Sequence, residues 1–304
     1  IQVESTDANR RAYRELLFTT SGIEAFISGV ILFDETMRQS TSTDVRFPAY
    51  LSGRGILPGI KVDKGAKKLA GFDNEKITEG LDGLRERLAE YRKMGARFVK
   101  WRAVIPIGHG FPTRFGLDAN AHALARYAAL CQEAGMVPIV EPEVLMDGDH
   151  DIERCREVTA ATLKRVYAAL FEHCVFLEGT LLKPNMVVSG KDYPIQAGPE
   201  EVAEATLRCF RQVVPAAVPG IVFLSGGQSS VEATRNLNAI NAMGRQPWEL
   251  SFSFGRALQE DALKAWQGSS ANTEAAQRAF FHRARCISKA RSGDYTPAME
   301  DEAP

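Results

Sequence analysis

The sequence predicts an α/β chain folded as a TIM (β/α)8 barrel in which seven of the eight strands are present. Three observations carry this reading. Short apolar runs alternate with helically periodic stretches along 304 residues. Alternation of that kind builds a parallel sheet, either doubly wound or closed. No glycine-rich dinucleotide fingerprint follows the first strand-like run, which disfavours the dinucleotide-binding class of doubly wound sheet. The length also suits a barrel, for which about 250 residues or more is usual. No linker or break in composition divides the chain, so residues 1–304 are read as one barrel domain.

Taken in order, the chain opens with a helix, Thr6–Leu17. The strand candidates are Phe26–Phe33, Gly59–Val62, Arg97–Val104, Val137–Glu141, Thr180–Val187, Ile221–Leu224 and Leu250–Phe254. Between them, Leu81, Leu84, Leu88 and Tyr91 recur at helical spacing within Thr78–Met94, and Leu124, Tyr127, Ala128 and Cys131 within Asp118–Ala134. Leu163, Val166, Tyr167 and Leu170 mark a third helix, and Val202, Ala205, Cys209 and Val213 a fourth. Boundary signals agree. Gly198-Pro199-Glu200-Glu201 places proline at a first helical position with acids in the first turn, Ser229 with Glu232 forms a capping box, and Gly135 stops its helix. The strand count is one short of a barrel. The simplest account places the first strand upstream of Ile1, so the chain is expected to be an N-terminally truncated barrel.

Composition excludes several classes of function. The net charge of -1 gives no global field for nucleic acid or an anionic membrane. No apolar run reaches the ~18 residues of a membrane span. The cysteines, Cys131, Cys155, Cys174, Cys209 and Cys286, are odd in number and scattered, which fits free thiols in a reducing compartment and a cytoplasmic protein. Upstream organelle targeting stays open. The histidines, His109, His122, His150, His173 and His282, form no HxH, HxxxH or HExxH pattern, so neither a metal nor another cofactor is expected.

Chemistry concentrates at the strand ends. Lys183 interrupts the apolar run Leu181-Leu182-Lys183-Pro184-Asn185-Met186-Val187. An exposed lysine, with a pKa of ~10.4, is a free amine in only about one molecule in a few thousand at pH 7. Burial beside a second cation removes much of that handicap and makes a Schiff-base nucleophile. Side chains at i and i+2 share one face of a strand, and that spacing recurs in Lys61 with Asp63, Lys100 with Arg102, and Glu141 with Glu143. Each pair alone reads as a solvated strand end. Four consecutive strands projecting such groups into one barrel mouth do not. Lys100 would disfavour protonation of Lys183, Glu141 would move protons during imine formation, and Glu143 would orient Lys183 or Lys100 and balance charge. The last two strands end in Ser225-Gly226-Gly227-Gln228 and Ser253-Phe254-Gly255-Arg256. Glycines allow close backbone approach, a helix start favours an anion, and arginine adds a fork of donors, which together read as a phosphate site.

These residues also carry a resemblance. LLKPNMV, VEPE, KWR, GIKVDKG, LSGGQS and FSFGRALQ stand in the order and approximate spacing of the class I fructose-bisphosphate aldolases, as do the opening Asn9–Leu17 and Gly29–Phe33. The resemblance implies metal-free, reversible cleavage of fructose 1,6-bisphosphate to dihydroxyacetone phosphate and glyceraldehyde 3-phosphate, in glycolysis and gluconeogenesis. It implies that Lys183 forms the Schiff base, Glu141 transfers protons, and Glu143 and Lys100 are their catalytic neighbours. Lys61 and Arg102 would meet one substrate phosphate. Ser225, Gly226, Gly227, Ser253, Gly255 and Arg256 would meet the other phosphate or the hydroxyls beside it. A homotetramer is implied as well. Two departures stand out. The family's Ala-Asp-Glu-Ser segment is absent, and the chain ends without a tyrosine, its nearest being Tyr295.

The rival readings are another lysine-based barrel aldolase with a monophosphate substrate, and a non-catalytic interaction protein that retains the fold. Smaller features read plainly. His109 is a structural loop histidine. Cys174 and Cys209 are core thiols on apolar helix faces. Lys64, Lys67 and Lys68 form a solvated loop, and Ser189–Ala197 is a mobile lid or a plain connection.

Overall fold

The strand-like runs align as one parallel sheet. The computed structural model describes residues 3–302. Helix α1 (Asp7–Phe18) leads into β1 (Gly29–Leu32), two short helices α2 (Asp34–Arg38) and α3 (Phe47–Gly53), and β2 (Leu57–Lys61). A hairpin of β3 (Ala66–Lys68) and β4 (Lys76–Thr78) precedes α4 (Leu84–Lys93). Strand–helix units follow: β5 (Phe98–Ile105) with α5 (Arg114–Glu133), β6 (Val137–Val144) with α6 (Ile152–Glu172), and β7 (Leu181–Leu182) with α7 (Pro199–Val213). The chain continues through β8 (Gly220–Phe223), α8 (Ser230–Ala242), β9 (Glu249–Phe252), α9 (Arg256–Trp266) and α10 (Thr273–Arg291).

Seven strands form the main sheet in the order β1-β2-β5-β6-β7-β8-β9, and every neighbouring pair is parallel. The sheet curls with helices around it. Among the described residues β1 and β9 do not pair with each other, so the ring stays open along that seam. A cavity of about 290 Å³ lies there, lined by apolar residues of both edges, among them Val30, Ile31, Phe252 and Phe254.

Alternation along β5 shows how sequence positions the chemistry. Val99, Trp101 and Ala103 are fully buried. Trp101 packs on Tyr127 of α5 with ring centroids 5.6 Å apart. The Tyr127 hydroxyl reaches the carbonyls of Val99 and Ile139 at 2.6 and 3.1 Å, fastening the helix to β5 and β6. Packing of the odd-numbered residues on the helix layer turns Lys100 and Arg102 to the inner face. The N-caps act as read from sequence. Ser229 and Glu232 form the capping box of α8, Gly198 and Pro199 start α7, and Gly135 follows α5 with φ +67°.

Four expectations change. The strand predicted over Thr180–Val187 pairs only at Leu181–Leu182, with Lys183 N–H donating to Val140 O at 2.8 Å. Pro184 has no N–H to continue the ladder. Asn185 replaces it: its Oδ1 accepts Val144 N–H at 3.1 Å, and its Nδ2 donates to Thr159 Oγ1 at 3.1 Å. The helix expected over Thr78–Met94 begins at Leu84, because Lys76–Thr78 pairs with Ala66–Lys68. That hairpin contains Lys67 and Lys68, which were read as loop. Cys174 is exposed, not a core thiol. It lies just past the end of α6 at φ +53°, where the chain turns away from the helix axis. Cys209 is buried as expected.

Candidate active site

The inner face of β2, β5, β6 and the end of β7 gathers the lysines and carboxylates. Cα register places Lys61 opposite Lys100 and Arg102 opposite Glu141. Glu141 sits between two amines, its Oε1 3.1 Å from Lys183 Nζ and its Oε2 2.9 Å from Lys100 Nζ. The three side chains are each exposed by 10% or less. Glu143 pairs with Arg102, whose guanidinium is partly open to solvent. Its direct contact is therefore with the arginine rather than with Lys183 or Lys100.

Burial holds the Lys183 amine below the usual lysine range. Glu141 opposes that shift by favouring the ammonium, and Lys100 adds to it as a like charge. Desolvation therefore wins over the carboxylate. The result is an amine able to shed its proton inside an ion-paired cluster, which is what nucleophilic attack on a ketone needs. Glu141, in reach of both lysines, is placed to carry that proton.

One cavity joins this cluster to the last strand. Lys61, Lys100, Lys183, Ser253 and Gly255 all line it. Ser253 is fixed through its N–H to Phe223 O at 2.8 Å, and Gly255 is the N-cap of α9. Arg256 is the first residue of that helix and is exposed. Ser225, Gly226 and Gly227 lie at the end of β8, before α8, outside the lining of that cavity. Both glycines take positive φ, +63° and +98°. The Ser225 carbonyl accepts from the Gln228 backbone and side chain at 3.0 and 2.9 Å, closing the turn.

Two further residues belong to the site's framework. Asp63, noted in the sequence only as the partner of Lys61, is buried against Lys61 and Lys100. Asn185 sets the backbone that follows Lys183; its signal was an amide directly after a lysine–proline pair in an apolar run. His109 is exposed on its loop. Tyr295 lies away from the mouth, buried with its hydroxyl on Glu300 at 2.8 Å. His282, Cys286 and Glu300 bring potential ligand atoms within 4.8 Å of one another. Both Glu300 oxygens are already bonded by Arg283, one of them also by Tyr295, so the group is a structural ion pair.

A family model described as glycolytic, fructose-bisphosphate aldolase class-I, matches residues 1–304. The chain belongs to the class-I fructose-bisphosphate aldolase family. It is 58% identical over 286 residues to a probable fructose-bisphosphate aldolase class 1 of Xanthomonas campestris pv. campestris, covering 94% of this chain and 86% of that protein. It is 55% identical over 296 residues to the cytosolic fructose-bisphosphate aldolase 4 of Arabidopsis thaliana, covering 97% of this chain and 75% of that one. A solved structure of the Plasmodium falciparum fructose-bisphosphate aldolase, in complex with TRAP and a small-molecule inhibitor, superposes with a TM-score of 0.96. That pair shares 49% identity, over 97% of this chain and 86% of the other. The fold is accordingly of the TIM-barrel type, and the activity is that of a carbon–carbon lyase acting on fructose 1,6-bisphosphate in glycolysis. Among the described residues no helix is long and apolar enough to cross a membrane.

Proposed function

We propose that Lys183 is the nucleophile of this aldolase and that Glu141, Lys100 and Glu143 form its proton-transfer and charge-balancing shell. The observation that carries the reading is the buried Lys183–Glu141–Lys100 chain, with N···O distances of 3.1 and 2.9 Å. The neutral Lys183 amine attacks C2 of the ketose. Glu141 carries one proton from nitrogen to the carbinolamine oxygen and relays a second from the Lys100 ammonium, so that this oxygen leaves as water. The iminium then accepts the electrons of the C3–C4 bond as it breaks, and the C4 hydroxyl loses its proton to the Glu141–Lys100 pair, giving an enamine and glyceraldehyde 3-phosphate. Protonation at C3 and hydrolysis of the iminium release dihydroxyacetone phosphate and restore Lys183. No metal enters this scheme.

We also propose an assignment of the two phosphates, supported by the position of Lys183 at the end of β7. C1 is one carbon from the imine, so its phosphate reaches the neighbouring ends of β8 and β9. There Ser225, Gly226, Gly227, Ser253, Gly255 and Arg256 offer backbone N–H groups, hydroxyls, helix starts and a guanidinium. The C6 phosphate lies four carbons beyond C2 and reaches across the mouth toward Lys61 and Arg102. We further propose that an eighth strand docks in the seam between β1 and β9, covering its apolar lining. We propose a cytoplasmic location, supported by the five free cysteines and by relatives named cytosolic. We propose a homo-oligomer, a tetramer by the family resemblance, and exposed apolar side chains such as Phe171 and Phe176 support burial against a further copy.

Borohydride reduction in the presence of dihydroxyacetone phosphate, followed by mass mapping, tests the assignment. The adduct is expected on Lys183. Active enzyme with an adduct elsewhere, or with none, would overturn it.

A further inference from the structure

Lys61 does not project freely into the mouth. Its ammonium folds back onto Asp63, 2.5 Å from Oδ1 and 3.0 Å from the Asp63 carbonyl oxygen. It also lies 5.9 Å from the centre of the Phe33 ring. The Asp63 carboxylate is itself fixed on several sides. Oδ1 accepts the Gly65 N–H at 3.2 Å, and Oδ2 accepts the Arg102 N–H at 3.3 Å and stands 4.0 Å from Lys100 Nζ. The Asp63 side chain is only 3% exposed. One buried carboxylate is therefore shared by a lysine at the outer mouth, a lysine of the catalytic cluster and the backbone of the strand that carries the second lysine.

The balance of charge makes this arrangement informative. Lys61, Lys100, Arg102 and Lys183 are paired with three carboxylates, Asp63, Glu141 and Glu143. With Lys183 as the neutral amine the remaining three cations balance the three carboxylates, and Lys61 is the more exposed of the two lysines on Asp63. A long-armed ammonium without a partner samples many rotamers, and ordering it on binding costs free energy. Held at two oxygens of Asp63, Lys61 is ordered before the substrate arrives.

We propose that Asp63 is a positioning residue for the C6 phosphate: it presents Lys61 at a fixed place in the mouth and, through its other oxygen, keeps that place in register with Lys100. The inference rests on the reading that Lys61 meets the C6 phosphate. Asp63 touches no reacting atom, so its contribution is to binding of the second phosphate and not to the chemistry at C2.

Steady-state kinetics with fructose 1,6-bisphosphate and fructose 1-phosphate, which lacks the C6 phosphate, separate this role from a structural one. Asp63→Asn keeps the size of the side chain and one acceptor oxygen, enough for either the Gly65 or the Arg102 N–H, while removing the charge. It is expected to raise KM for the bisphosphate about tenfold, with kcat changed little, and to leave fructose 1-phosphate within about twofold. Lys61→Met should reproduce that pattern, and the double variant should be no worse than Lys61→Met alone. Asp63→Glu keeps the charge but displaces it. It carries the same test if Asp63→Asn does not fold, with a smaller rise in KM confined to the bisphosphate. Equal losses on both substrates, or additive losses in the double variant, would overturn the role of Asp63. A Lys61→Met enzyme that still prefers the bisphosphate as strongly as the parent would instead overturn the phosphate reading, and the inference with it.

Discussion

Between Lys61 and Lys183 the mouth is held together by side chains; between Ser225 and Arg256 it is shaped by backbone. On β2, β5, β6 and β7 the functional groups are charges buried against one another, with Glu141 flanked by two lysines and Asp63 by two. On β8 and β9 they are glycine turns and helix starts, and Gly255 and Arg256 are exposed. The difference follows from the work each end does. Proton transfer needs protonation states set by burial and by neighbouring charge. A phosphate needs oriented N–H groups that do not change state. Substitutions in the Glu141–Lys100–Lys183 cluster should therefore alter turnover and its pH dependence, and those at the phosphate-facing groups, Lys61 and the glycine end, should alter KM.

The largest expected effect is at Lys183. Lys183→Met should lower kcat by about 10⁴-fold or more, because the covalent route is lost. Borohydride trapping should fail in the same variant while an unreactive substrate analogue still binds. Residual trapping at another lysine would break the assignment.

Glu141→Gln should lower kcat by about 10²- to 10⁴-fold, the usual contribution of a positioned proton carrier. It should also move the pH dependence of imine formation. Neutral Lys183 is the reactive form, so trapping should rise with pH to a plateau, with its midpoint below that of an ordinary lysine. Glu141 favours the ammonium, so its removal should shift the midpoint to lower pH. Lys100→Met removes a cation that favours the free amine, so its midpoint should shift to higher pH. Opposite shifts from two neighbours of one amine form a demanding test. No shift in either variant would mean that burial alone governs Lys183.

The side-chain end was also the more legible in the sequence. A lysine in an apolar run and charged pairs at i and i+2 are visible in one dimension, and strand alternation carries them to a common face. What alternation does not encode is which partner each charge chooses. Glu143 was expected to orient a lysine or balance charge; its ion pair is with Arg102, while its charge still acts on Lys183. Asp63 reaches the Arg102 N–H on the adjacent strand, a contact set by the register of β2 on β5 and not by spacing along either run. Asn185 finishes a ladder that Pro184 interrupts, which reads as strand until the missing N–H is counted. The hairpin of β3 and β4 is too short and too charged to stand out from a loop. At the backbone end the glycines marked the turn, but the sequence carried no reading of helices α9 and α10 beyond Phe254.

At the glycine end, Gly227→Ala should act mainly on KM. Gly227 has φ +98°, outside the narrow left-handed region open to other residues. Holding alanine there costs about 1–3 kcal/mol. A Cβ would also lie 3.2 Å from Lys191 Nζ, but that flexible, half-exposed lysine can move aside. The turn should relax away from its phosphate-binding shape, raising KM for both fructose 1,6-bisphosphate and fructose 1-phosphate, since each carries the C1 phosphate. A loss confined to the bisphosphate would exchange the two phosphate ends.

The smallest expected effect separates the stability of that end from its chemistry. Ser229 Oγ accepts the Glu232 N–H at 3.2 Å, and Glu232 returns a bond to the Ser229 N–H at 3.3 Å. Ser229→Ala should cost about 0.5–2 kcal/mol, measured by denaturant unfolding. It removes a cap from α8 but leaves Ser225, Gly226 and Gly227 with their closing bonds to Gln228. If backbone geometry and not helix stability sets phosphate affinity, KM should stay within about twofold of the parent while the unfolding midpoint falls. A KM that rises in step with the loss of stability would mean that the glycine turn has no rigidity apart from the helix it precedes.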